Sequence, residues 1–166
     1  MLRRRQLMAM QKPSNILYEA RNLSFDGTEA TIIDTGVYLF TADNINRDFE
    51  FVAEGILGPR NQDGNKTLIC AKHNGNSTGF LVRTTGGTST GWAGTIAVTP
   101  DQKATVIVRR INGKITLTGE NITNPGMKFK NETFDWPLVL GCAVDDDGTY
   151  YRYAPGSIDH VMVKWL

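Results

Sequence analysis

Cysteine and histidine are scarce in this chain of 166 residues, with two of each. Cys70 and Cys142 form no CxxC, and His73 and His160 stand far apart, so the ligand spacing of a zinc site is missing. Both cysteines lie in apolar runs, TLICA and PLVLGCAV, and read as two buried thiols of a reducing compartment. A disulfide between them is the alternative. Long hydrophobic runs are missing as well. No stretch approaches the roughly 18 apolar residues of a membrane span, so no membrane partner is expected. An excess of either charge is lacking: 18 basic and 17 acidic residues leave a net charge of +1. That balance creates no general field for polyanions, and nucleic acid is not expected as a partner. P-loop and HExxH motifs are absent, which removes the common signatures of phosphoryl transfer and zinc hydrolysis, and no Gly-x-Ser-x-Gly nucleophile elbow is expected, because that turn needs a helix after its strand.

What is present favours strands. Seventeen glycines and many Thr and Asn residues suit turns and extended segments. Residues 1–20 form a basic, Met-containing arm, helix-compatible up to Pro13. Its start, MLRRRQLMAMQK, is basic, but Gln6 and Gln11 interrupt the apolar part, and no signal peptide is expected. From Leu23 onward short strand-like runs alternate with turns: LSF, TIIDTG, VYLF, DFEFVAEGIL, TLICA, GFLVRT, GTIAVT, PLVLGCAV and SIDHVMVKWL. In DFEFVAEGIL, Phe49, Phe51 and Ala53 share one face, and Asp48, Glu50 and Glu54 share the other. KATVIVRRINGKITLTGEN predicts a hairpin, because Asn112-Gly113 tolerates positive φ at both central positions of a type I′ turn. About ten short strands at regular spacing predict an all-β, two-sheet antiparallel sandwich spanning residues 21–166.

The order of these runs carries a family resemblance. LSFDGTEATIIDTGVYLF resembles the opening of concanavalin A-like, laminin-G-type jelly-roll domains, with Phe25, Gly27, Ile33, Asp34, Thr35 and Gly36 at the matching places. DFEFVAEGIL is similar to the long aromatic strand that follows, and VIVRRINGKITLT to the strand–turn–strand unit of the family, with Arg110 before the turn and Lys114 after it. PLVLGCAVDDDG and YRYAPGSIDHVMVKW resemble the closing pair, through Pro137, Leu138 and Gly141, then Gly156, Ile158 and Val161. The resemblance implies that the first body strand lies beside the last. Compact versions with an Arg-rich start also resemble small virion and prophage proteins of tailed bacteriophages.

Several functional expectations follow from that resemblance. Glycoside hydrolases of the superfamily carry a Glu-x-Asp-x-Glu strand. Here Val52 takes the third place, and Glu54 lies about 13 Å from Glu50 along an extended strand, beyond the spacing of either hydrolytic geometry. No catalytic residue, and no enzyme, is expected. Laminin-G-type modules imply a Ca²⁺ at a loop rim, for which Asp145 and Asp147 of the Asp-Asp-Asp-Gly turn are the candidates. Three adjacent carboxylates of one turn cannot all point inward, and the first expectation is no cofactor. Glycan binding needs aromatic platforms beside polar groups. Trp92 in GGTSTGWAG, and Tyr151, Arg152 and Tyr153 in TYYRYAP, supply them, although strand alternation and local capping explain the tyrosines and Arg152 equally well. Arg83, Arg110, Trp136 and Trp165 read as structural.

The arm points to a partner. Arg3, Arg4 and Arg5 followed by Leu7, Met8 and Met10 join guanidinium forks to adaptable thioether chains, which suits a groove on another virion protein or on a second copy of the chain. The expectation is a non-catalytic structural or decoration protein of a phage particle, anchored through residues 1–20 and displaying a face for cell-surface glycans. A free-standing carbohydrate-binding adhesion module is the alternative.

Overall fold

The computed structural model describes residues 15–58, 66–73, 78–84, 94–123 and 129–166. Along these residues the strands are β1 (Ile16–Asp26), β2 (Ile33–Asp34), β3 (Phe49–Ile56), β4 (Thr67–His73), β5 (Thr78–Thr84), β6 (Thr95–Val98) and β7 (Ala104–Ile111). They continue as β8 (Lys114–Glu120), β9 (Ile122–Thr123), β10 (Val139–Leu140), β11 (Ala143–Val144), β12 (Tyr150–Tyr151) and β13 (Pro155–Trp165). Only one 3-10 turn, Glu29–Thr31, interrupts them among the described residues. One sheet has the order β1-β13-β3-β7-β8 and the other β2-β10-β4-β5-β6-β9, with β11 and β12 pairing as a small ribbon.

The two sheets face each other as a sandwich. Phe49, Phe51, Ala53, Val106, Val108, Val161 and Val163 from the first sheet meet Ile69, Ala71, Phe80, Val82, Ile96 and Val98 from the second in one buried cluster. The Phe51 and Phe80 rings, 5.1 Å apart, tie the layers together. The expected alternation of DFEFVAEGIL therefore puts its aromatic face inward. The Asn112-Gly113 hairpin joins β7 to β8 with φ of 50° and 76°, the left-handed pair that a type I′ turn requires. β1 lies antiparallel to β13 from Ile16↔Lys164 to Asp26↔Pro155, so the first and last strands are neighbours as the family order implied.

Four details depart from the sequence reading. Pairing with β13 carries β1 back to Ile16, so residues 16–20 belong to the sheet and not to the arm. β5 and β6 run parallel, so the second sheet is mixed. An alternating run reads alike in both directions, and GTIAVT therefore did not encode the direction of β6. VYLF forms no strand. Val37, Leu39 and Phe40 are buried, but their carbonyls accept from Leu138 N–H, the Arg110 guanidinium and Phe134 N–H in place of a ladder. PLVLGCAV splits into β10 and β11 at Gly141, whose φ of 93° turns the chain where a Cβ would strike the Phe25 ring.

Candidate functional site

The face of the β4–β5–β6 sheet turned away from the core carries the site. Strand register sets Thr67 opposite Arg83 and Arg83 beside Ala97, and it sets Cys70 opposite Leu81 and Leu81 beside Thr95. Their chain neighbours Leu68, Ile69, Ala71, Phe80, Val82 and Ile96 lie in the core, so period-two alternation, reset by an irregularity between Thr67 and Ile69, directs this set outward. β11 lies against β4, and a second apolar cluster of Cys70, Leu81, Val139, Cys142, Ala143 and Val144 is closed by Tyr150, Tyr151 and Tyr153. Cys70 and Cys142 are free thiols, both buried. Burial raises both, Cys142 to about 12, so they are protonated at neutral pH.

Lys72 extends along the same face and is 2% exposed. Gly79 and Gly94, with φ of 82° and 73°, stand beside it. The Lys72 Cε lies 3.7 Å from where a Gly94 Cβ would stand. Burial pulls the Lys72 ammonium below its ordinary value, and the charges of Arg83 and Arg152 reinforce that shift. Arg83, 6% exposed, is likewise lowered by burial and then by Arg152. Among the described residues no carboxylate pairs with Lys72. The hydroxyls of Thr67 and Thr95 are buried without a hydrogen-bond partner.

Arg152 stands exposed at the edge of this cluster. Its backbone has φ of 53°, a left-handed conformation uncommon for a residue with a Cβ. Its carbonyl accepts Thr67 N–H at 3.0 Å, which binds the ribbon to β4. Its guanidinium sits 4.9 Å over the Tyr151 ring. Tyr153 donates its hydroxyl to the Tyr150 carbonyl at 2.9 Å, and Tyr150 donates to Asp34 at 3.4 Å. The arrangement therefore collects three cations, two unfilled hydroxyls and a rim of tyrosines. That collection of charge suits an anionic group.

The sequence-selected residues fall out unevenly. Tyr151, Arg152 and Tyr153 come together here, joined by Lys72, which the sequence reading passed over, and by Arg83, which it read as structural. Trp92 and the arm residues Arg3, Arg4, Arg5, Leu7, Met8 and Met10 lie outside the described residues. Asp145 and Asp147 stay in their turn, accepting the N–H groups of Asp146 and Thr149. Among the described residues no three His, Cys, Asp or Glu side chains gather as a metal site. On the other sheet, the Glu50 carboxylate is taken up by Arg109 at 2.6 Å and Lys164 at 3.0 Å, and Asp48 accepts Asn112 N–H. Arg110 and Trp165 are buried in the core, as read.

No family model matches the sequence, and no curated protein matches it. Among solved structures the chain is similar to part of a point mutant of NanB sialidase from Streptococcus pneumoniae, at 12% identity and a TM-score of 0.49 over 92% of this chain. A second structure, NanB with Optactamide, gives 12% identity and a TM-score of 0.47 over 90% of this chain. The chain spans about a quarter of the length of these proteins, 27% and 26% respectively. On its own geometry, the chain is an all-β sandwich.

Proposed function

We propose that this chain is a non-catalytic, concanavalin A-like binding module that holds an acidic glycan at the Lys72–Arg83–Arg152 cluster. The observation that carries the reading is the Lys72 side chain, 2% exposed, within reach of the charges of Arg83 and Arg152 and, among the described residues, paired with no carboxylate. A buried, unpaired cation costs several kcal/mol, and an anion brought by a ligand offsets that cost. Compact carboxylate or sulfate groups of a glycan fit the charge. Tyr151 and its neighbours supply the apolar face that sugar rings stack on. The absence of a reaction is supported by Glu50, whose two cationic partners hold it away from the role of a free acid or nucleophile. The setting we propose is the virion of a tailed phage, with the Arg-rich segment 1–14 joining the module to other virion proteins or to copies of itself. Its support is the order of sequence motifs and the chemistry of Arg3–Arg5, Leu7, Met8 and Met10.

The test is binding of the full chain to hyaluronate and to neutral dextran by calorimetry at two salt concentrations. Hyaluronate binds, more weakly at high salt, and dextran does not. Arg152→Gln and Lys72→Met each weaken hyaluronate binding by about tenfold or more, the scale of one charge-assisted contact. Equal binding of both polymers, or hyaluronate affinity unchanged in both variants, overturns the reading.

A further inference from the structure

A separate cleft of about 310 Å³ opens between the start of β1, the segment from Thr35 to Arg47 and the end of β13. Leu17, Tyr38, Asn44, Arg47 and Trp165 line it. Its volume is at the small end of ligand sites, sized for one sugar ring and not for a polymer. The Arg47 guanidinium carbon lies 4.1 Å from the centre of the Trp165 ring. The guanidinium sits over the ring while its N–H edges stay unengaged: among the described residues Arg47 forms no ion pair and donates no side-chain hydrogen bond. Tyr38 adds a ring that is 41% exposed.

The cleft is pre-organised from beneath. Arg110, fully buried, donates to the carbonyls of Arg47 at 2.9 Å, Asn44 at 2.7 Å and Leu39 at 2.9 Å, so one cation fixes both ends of the loop. Asn44 donates its amide to the Tyr38 carbonyl at 2.7 Å, and Thr35 donates its hydroxyl to the Leu138 carbonyl at 2.7 Å. Little ordering entropy is left for a ligand to overcome.

We propose that this cleft binds a single carboxylate-bearing sugar unit, of the hexuronic acid class, with its carboxylate on the Arg47 fork and its ring against Tyr38. A stacked guanidinium with free edges matches a carboxylate in a bidentate way, and the Asn44 amide, with one N–H given to the Tyr38 carbonyl, keeps its second N–H and its oxygen for a ring hydroxyl. The site shares no residue with the Lys72 cluster and stands whether or not that cluster holds a glycan.

Amide NMR of the full chain, titrated with sodium glucuronate and separately with methyl glucoside, tests it. Glucuronate produces saturable shifts at the Asn44 and Arg47 amides and at the Trp165 indole N–H, with a dissociation constant in the millimolar range or below. Arg47→Gln weakens it by about tenfold or more, and Tyr38→Ala by several-fold, both with an unchanged melting temperature. Non-saturating shifts, shifts confined to the Lys72 face, or equal affinity for the neutral glucoside overturn the proposal.

Discussion

Arg110 and Glu50 are charged residues one strand apart, and the sandwich handles them in opposite ways. Arg110 points inward among Phe40 and Phe49, where burial lowers its guanidinium to about 10, still charged at neutral pH. Backbone carbonyls and Asn131, not a carboxylate, satisfy it. Glu50 points outward. Burial alone would raise its carboxyl, but Lys164 and Arg109, through hydrogen bonds and charge together, outweigh that and hold it below its ordinary 4.5. A carboxyl depressed in the folded state stabilises the fold above its unfolded value, and that stability is lost as pH falls through the folded value. Urea midpoints of the native chain should therefore drop as pH goes from 5 to about 3, and Glu50→Gln should flatten part of that drop. A variant whose acid limb parallels the native one would show that the triad contributes nothing. Arg110 was legible as structural from its place beside the hairpin. Lys72 was not, because a lysine near the end of TLICAKH looks like a strand emerging into solvent, whereas the folded chain buries it.

Elements were legible where local chemistry decides them. The Asn-Gly hairpin and the aromatic face of β3 follow from turn preference and alternation alone. The segment 37–40 was misread because apolar residues are needed there for packing, whereas the ladder that makes a strand is supplied by neighbours the sequence does not display. Strands β4, β5 and β6 depend on missing side chains at their junctions. A Cβ on Gly79 would fall 2.0 Å from the Ala71 carbonyl oxygen, and one on Gly94 would fall 2.3 Å from the Gly79 carbonyl oxygen, both at positive φ. Gly79→Ala should therefore cost about 2–3 kcal/mol or more, since left-handed strain and a backbone clash add. Chemical denaturation reads this, and a loss below about 0.5 kcal/mol would mean that the two strands separate without cost.

At the scale of the whole molecule the core is drawn from Phe25 to Trp165, and β1 starts at Ile16. Removing residues 2–12 should leave the melting temperature within about 2 °C of the full chain, because every strand and core side chain among the described residues is retained. Scanning calorimetry decides, and unfolding at markedly lower temperature would assign the arm to the domain's own stability. The site was less legible than the fold for a reason of distance. Lys72, Arg83 and Arg152 are spread over 81 positions, and only the pairing of β4 with β5 and the fold of the β12 ribbon bring their charges within reach of one another.

The pairing of Ile16 with Lys164 has a topological consequence. The strands that open and close the sandwich run side by side, so entry and exit of the polypeptide coincide at one edge. A unit with that layout can be spliced into a surface turn of a host protein without prying the turn apart. It can equally be cut open at the Asn112-Gly113 hairpin and rejoined at its ends by a short tether, leaving every rung of both sheets in place. The order of strands along the chain is thus separable from their order in the sheet.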